Sequence, residues 1–417
     1  MRIALSSYRS KPHSGGQGVY VRNLSRELVA LGHQVEVFSG QPYPELDPGV
    51  ALTPVPSLDL YRDDDPFRTP ALREFRDVTD LIEFATMCTG GFPEPRTFSR
   101  RLARVMQQRA GEFDILHDNQ TLGTGILRIA RTGLPVVSTV HHPISADRRV
   151  ELAGVPLRRK LAVMRWYGFV GMQRRVARQL EDLITVSQRA AADIVAQFGV
   201  APDRLRAIPV GVDVDLFRPP VGARVPGRLV TITSADVAMK GLSVLLQAVA
   251  SAAGTVAELS LVVVGRPSKG TEALIGQLGL SGAVRFVSGL SDAALAELMS
   301  SAEIAVVPSL YEGFSLPAIE AMACGTPLVA TDVGALPELI GEGSARGVLV
   351  RAGDAPELSA ALTSLLAAPS RRSRMGRAGR ARAVEQYSWT SVAGRTAEYY
   401  REILDRGSSG TRRRTAA

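Results

Sequence analysis

The stretch "EIAVVPSLYEGFSLPAIEAMACGTPLVATDV", Glu303 to Val333, reads as strand, turn, helix and strand in succession. "EIAVVPS" is a short buried strand ending at about Pro308, and "PLVATDV" is another. Between them Pro317 fits the first turn of a helix, where its missing N–H costs nothing. Cys324-Gly325 closes that helix with a glycine where a left-handed residue is favoured. Glu312 therefore lies on the loop and Glu320 one turn into the helix. Neither serves a capping box from Ser315, whose partner position is occupied by Ala318. Gly313, Phe314, Ser315 and Leu316 offer backbone N–H groups around the helix start.

The same grammar runs through the rest of the chain. "RIALSS", "QVEVFSG", "DILHDN", "PVVSTVHH", "DLITVS" and "LRAIPVG" are short β-rich runs with helical periodicity between most of them. A second series runs "RLVTITSA", "LSLVVVG", "VRFVSG", "EIAVVPS", "PLVATDV" and "GVLVRAG". Strands alternating with helices predict a parallel sheet covered on both faces, so the fold class is α/β with two doubly wound halves. The Pro- and Gly-rich segment Ile208–Gly227 has no sustained period and suits the linker between them. Residues 1–211 and 212–387 are the expected domains. The final stretch from Tyr387 to Leu404 carries an apolar and aromatic stripe that needs a surface to bury it. Residues 406–417 read as a disordered tail.

Composition narrows the function. Of 417 residues, 45% are hydrophobic and 22% charged, which is globular rather than disordered. Cys88 and Cys324 lie far apart with no Cys or His at ligand spacing, so neither a disulfide framework nor a metal site is expected, and a reducing cytoplasm is the natural compartment. The amino terminus lacks the apolar core of a signal peptide, and no run approaches a membrane span. The net charge of +8 suits anionic lipid or phosphorylated substrates. Nucleic acid is disfavoured, because the arginines are not interleaved with aromatics and no recognition motif is present.

Ligands of doubly wound folds sit beyond the carboxyl ends of the strands, where the candidate residues fall. After the first strand, Gly15 and Gly16 let the backbone approach a ligand, and the helix starting near Gly18 points its positive end at the same place. The full dinucleotide fingerprint is absent. Lys240, one of only four lysines in the chain, stands at the start of the helix "GLSVLLQAVA". An ammonium opposes the usual dipole preference there, unless both positives serve a diphosphate. Glu312 and Glu320 are then either a hydrolytic acid and base, which need a separation of roughly 5 to 10 Å, or two clamps for vicinal hydroxyls, one on a sugar and one on a ribose. A third alternative is one loop carboxylate beside one dipole-stabilising helix glutamate.

"EGFSLPAIEAMACGTPLVATDVGALPE" resembles the E-x7-E signature of the family 4 retaining glycosyltransferases of GT-B fold. "SGGQGVYVRNLSRELVALGHQVEVFS", "PVVSTVH", "ITVSQ", "IPVGVDVDLFRP", "KGLSVLLQAV" and "YSWTSVAGRTAEYYREIL" fall where that family has its landmarks. The resemblance implies two Rossmann-like domains facing across a cleft, with a last helix, 388–405, crossing back to the first. It also implies an acceptor held mainly by the first domain, a nucleotide-diphosphate sugar held mainly by the second, and neither metal nor other cofactor. Carried over, it puts Gly16 at the donor phosphates, Lys240 on the diphosphate, Glu312 on the hexose hydroxyls and Glu320 on the ribose. The backbone of Phe314, Ser315 and Leu316 goes to hexose and phosphate, and His141 approaches the transferred sugar. One departure stands out. Many relatives carry an arginine five or six residues before the diphosphate lysine, where this chain has Ala235 and Ser234. A serine gives one neutral hydrogen bond in place of a charged fork, so Arg266, after "LVVVG", is the cation expected to fill the gap.

The expected reaction is glycosyl transfer with retention, from a UDP-, GDP- or ADP-sugar with UDP favoured, to a hydroxyl acceptor that is lipid-linked or a small metabolite. Tyr8, His117 and Asn119 are the candidates on the acceptor side. A sugar-nucleotide epimerase or hydrolase would instead consume donor without acceptor, and a binding module would not turn it over. Residues 61–101 form a connection longer than the others and read as an acceptor loop or lid. The basic helix from Arg158 to Leu180, with Trp166, Tyr167 and Phe169 clustered, is core-facing with a solvated arginine face, or else makes peripheral contact with anionic membrane at its inner face.

Overall fold

The computed structural model describes residues 1–11, 16–62, 64–142, 144, 152, 156–233, 238–256, 258–341, 343 and 345–415. By internal contacts the chain divides into two compact units, residues 1–209 with 392–417, and residues 210–391. The return to the first unit falls inside the last helix, three residues after its first residue, Trp389.

Unit 1 is built on β1 (Arg2–Ser7), β2 (Gln34–Ser39), β3 (Ala51–Pro54), a separate hairpin of β4 (Tyr61–Arg62) and β5 (Asp65–Pro66), β6 (Ile115–Asn119), β7 (Val136–Val140), β8 (Asp182–Thr185) and β9 (Leu205–Ala207). Apart from the hairpin these form one sheet in the order β3-β2-β1-β6-β7-β8-β9, every pair parallel. Unit 2 carries β10 (Arg228–Ile232), β11 (Ser260–Val264), β12 (Val284–Val287), β13 (Ile304–Val307), β14 (Leu328–Thr331) and β15 (Val348–Val350) in the order β12-β11-β10-β13-β14-β15, again all parallel. Both sheets therefore start in the middle, run to one edge and return to extend the other. The order reverses between β1 and β6 in unit 1 and between β10 and β13 in unit 2, and that switch is where such folds place ligands.

The expected strands are present, and one more joins them. β3 reads "ALTP", is almost fully exposed at the sheet edge and ends in proline, so it carries neither alternation nor an apolar run. From Val210 onward the expected linker is part of unit 2. Val212 and Phe217 are buried, Arg380 donates to the carbonyls of Val214 and Phe217, and the Trp389 ring lies where a Cβ on Gly211 would sit, 2.4 Å away.

Residues 61–101, expected as an acceptor loop or lid, carry secondary structure of their own: the β4–β5 hairpin, a helical turn at Leu72–Glu74, a helix at Val78–Cys88 and the start of another at Glu94–Arg109. The tail is not disordered throughout, since the helix from Trp389 continues to Thr415.

Helix Val78–Cys88 turns its acids inward. Asp80 and Glu83 are about 1% exposed, and the Arg101 guanidinium donates to both. Burial alone would raise the Asp80 carboxyl, yet the hydrogen bonds from Arg76 and Arg101 hold it well below the usual carboxylate range. Removing one partner of such a cluster strands buried charge. Arg101→Leu should therefore cost unit 1 about 3–5 kcal/mol, read as a lower urea midpoint. An unchanged midpoint would show that the cluster contributes nothing to folding.

Candidate functional site

In unit 2 the two loops at the switch point are locked together. Gly241 has φ +66° and caps the helix Leu242–Ala253, and a Cβ there would meet the Pro308 carbonyl at 1.9 Å. The Leu310 amide donates to the Met239 carbonyl at 2.7 Å. The segment Met239–Gly241 is thus seated on the end of β13, which brings Lys240 to Glu312. Lys240 Nζ donates to Glu312 Oε2 at 2.9 Å and Oε1 at 3.3 Å. Ser309 Oγ donates to Oε2 at 2.9 Å.

Glu312 is held from its other side by the end of β14. Gly334, at φ +56°, lies so close that a Cβ would sit 1.7 Å from the Glu312 carbonyl, which accepts from the Ala335 amide at 3.1 Å. The Glu312 side chain is about 10% exposed and that of Lys240 29%, so the pair is mostly buried yet reaches solvent.

Two residues on, the helix Leu316–Ala323 begins as expected. Ser315 is its N-cap, accepting from the Ala318 amide at 3.4 Å, and Pro317 sits in its first turn. Among the described residues no acceptor takes the amides of Phe314 or Leu316. Glu320 is half-buried on this helix. Burial, and then the nearby charge of Asp292, push its carboxyl up to about 7. Arg266 is exposed in the loop just past β11.

Gly15 and Ser234, with Ala235, lie outside the described residues, and Gly16 is the first residue of the helix Gly16–Ala30. Ser309 was not anticipated. Its one signal in the sequence is a small polar residue two positions after an apolar strand. Gly241 and Gly334 carry a clearer one, a glycine at a strand-to-helix turn where the main chain is approached closely.

Unit 1 has a corresponding constellation around β1, β6 and β7. His141 Nε2 bonds Asn119 Oδ1 at 2.8 Å, and its amide donates to Gln120 Oε1 at 2.8 Å. The Tyr20 ring meets the imidazole edge-on at 4.8 Å. With the Asn119 amide nitrogen turned to the Gln17 carbonyl, its oxygen accepts the His141 Nε2 proton, which leaves Nδ1 as the lone-pair nitrogen. Burial, and then the neighbouring His142, push the imidazole down to about 3, so it is neutral at any physiological pH. Tyr8 is half-buried beside Gln17 Nε2, and burial pushes its phenol up to about 12.

His117 does not belong on an acceptor surface. It is completely buried, with Nδ1 on the Tyr400 hydroxyl at 2.5 Å and Nε2 on Thr139 Oγ1 at 2.6 Å. Burial, and then His141, push it down to about 3. Its place is under the site, where it anchors the last helix. Asn119 is likewise fully buried, and its side chain is committed to His141 and Gln17.

Comparison with known proteins agrees with this fold. Residues 214–382 match the model for glycosyl transferases group 1, and residues 14–216 that for glycosyltransferase family 4. The chain is 57% identical over 408 residues to the MMP alpha-(1->4)-mannosyltransferase of Mycolicibacterium hassiacum, covering 97% of this chain and 99% of that one. It is 30% identical over 431 residues to a D-inositol 3-phosphate glycosyltransferase of Segniliparus rotundus, covering 98% and 90%. Among solved structures, sucrose-phosphate synthase from Thermosynechococcus elongatus shares the fold with a TM-score of 0.69 at 23% identity, over 97% and 99% of the two chains. Anabaena Alr3699/HepE in complex with UDP-glucose does so with 0.66 at 17%, over 96% and 100%. With Rossmann-like order in both sheets and near-complete overlap with such relatives, the chain belongs to the family 4 glycosyltransferases of GT-B class.

Proposed function

We propose that this chain transfers a mannosyl residue, with retention, from a nucleoside-diphosphate mannose to a hydroxyl of a saccharide acceptor. The observation that carries the reading is the Lys240–Glu312–Ser309 arrangement at the unit 2 switch point, where a cation for a diphosphate touches a carboxylate suited to sugar hydroxyls. The mannosyl group and the saccharide hydroxyl come from the Mycolicibacterium relative, whose name also specifies an α-(1->4) linkage. An α-linked product from an α-linked sugar nucleotide is net retention.

In this reading the acceptor oxygen bonds to the anomeric carbon on the face the phosphate leaves. The carbon–oxygen bond to the diphosphate breaks, and the acceptor proton passes to the departing phosphate oxygen. Lys240 and the amides of Phe314 and Leu316 stabilise the charge that gathers there. Glu312 grips the hexose, Glu320 the ribose, and Arg266 supplies the second cation on the diphosphate. No metal is needed where an ammonium and a helix N-terminus carry that charge. Neutral His141 serves as a hydrogen-bonding group at the sugar, because an imidazole pushed down to about 3 gives no proton at neutral pH.

A panel of UDP-, GDP- and ADP-linked mannose and glucose, scored for transfer and for hydrolysis without acceptor, identifies the donor. With that donor, Glu312→Gln and Lys240→Ala should each lower kcat by about 10²–10³. Near-normal transfer by both would refute the site.

Glu320 gives an independent check. A carboxyl group accepts from two hydroxyls through both oxygens, with charge assistance, only when ionised, so below its value of about 7 the proton competes with the ribose. Affinity for the sugar nucleotide, which has no group titrating in this window, should rise from pH 6 to pH 8 and level off above. Glu320→Gln should flatten the profile, and an identical slope in the variant would remove Glu320 from the ribose.

A further inference from the structure

Helix Val78–Cys88 is amphipathic in the inverted sense. Its inner face holds Asp80 and Glu83 against Arg101, while its outer face shows Val78 at 65% exposure and Leu81 at 55%, with Ala85 and Cys88 exposed further along. Leu72, one turn earlier, is 90% exposed. A second helix, Leu157–Trp166, adjoins it. Arg165 donates to Thr89 Oγ1 at 2.5 Å, and its guanidinium lies where a Cβ on Gly91 would sit. Trp166 turns inward onto Phe92 and Tyr61, leaving Leu161 and Met164, three residues apart, more than half exposed. Two neighbouring helices of unit 1 thus each show solvent two large apolar side chains, a grouping of the kind that marks an interaction surface.

The surrounding charge selects the partner. Helix Leu157–Trp166 reads "LRRKLAVMRW", with four cations and no carboxylate. Arg73 flanks Leu72, and Arg76, beside Val78, is paired with Asp80; the acids around this helix are buried or paired, Asp77 with Arg104 and Glu74 with Arg68. A second copy of the chain would set these arginines against themselves. An anionic lipid headgroup layer meets the cations and accepts the leucines and methionine below it. We infer that the surface formed by helices Val78–Cys88 and Leu157–Trp166 docks unit 1 on an anionic membrane surface.

The test is co-sedimentation of the full chain, without nucleotide, with vesicles of phosphatidylcholine alone or mixed with phosphatidylglycerol, so that it is independent of the donor assignment. Binding is expected to the mixed vesicles only and to weaken with salt. Leu81→Glu combined with Leu161→Glu, both at exposed positions, should reduce it at least tenfold with the thermal midpoint and sugar transfer to a soluble acceptor unchanged. Equal sedimentation with both vesicle types, or undiminished binding by the double variant, would overturn the inference. So would a wild-type dimer that ignores vesicles and is split by the same variant, since that assigns the face to a second copy.

Discussion

The candidate site in unit 2 depends on one ion pair, Lys240 with Glu312 at 2.9 Å. A carboxylate only about 10% exposed is costly to leave alone, so in the free protein it needs the ammonium and the Ser309 hydroxyl. On the proposed reading the pair changes partners rather than losing them. The diphosphate takes the ammonium, and sugar hydroxyls take the carboxylate. The two glycines on either side, Gly241 and Gly334, are what let the loops close on this pair. Any side chain at either would strike a main-chain carbonyl at under 2 Å.

Unit 1 uses the same topology for a different task. Beyond β6 the chain turns through Gln120 at φ 55° and Leu122 at φ 48°, left-handed conformations that residues other than glycine seldom adopt. The turn is held by Asp118, which accepts from Ser6, Ser138 and the Leu122 amide, and by Gln173, which donates to the carbonyls of Gln120 and Thr121. What this strained turn secures is the His141 amide and, next to it, the Asn119 contact to its ring. His117, Thr139 and Tyr400 continue the network inward, so the last helix is fastened directly beneath His141.

The alternation of strand and helix was legible in the sequence because both sheets are parallel and buried on both faces, which writes continuous apolar runs such as "IAVV" and "LVAT". The helix after Glu312 was equally legible, from its proline and closing glycine. Three things were not. Ser309 bonds to a residue it nearly adjoins, a contact that no periodicity records. His117 looks from the sequence like a polar residue at a strand end, and only the distant Tyr400 shows it to be buried. The fold of residues 61–101 was hidden because helix Val78–Cys88 inverts the pattern, with acids inside and leucines outside. The basic composition also misleads in part. Arg224 and Arg380 spend their guanidinium groups on main-chain carbonyls of unit 2, several of them at helix ends, and Arg372 divides its own between such carbonyls and Glu303.

The division of labour at the pair is the central point, and calorimetric binding reads it most directly. Wild type, Lys240→Ala and Glu312→Gln would each be titrated with the nucleoside diphosphate and with its sugar-bearing form. Loss of Lys240 should weaken both ligands, whereas loss of the Glu312 carboxylate should weaken only the one that carries the sugar. Equal weakening of both ligands by Glu312→Gln, or none of either, would contradict the assignment of this carboxylate to the hexose.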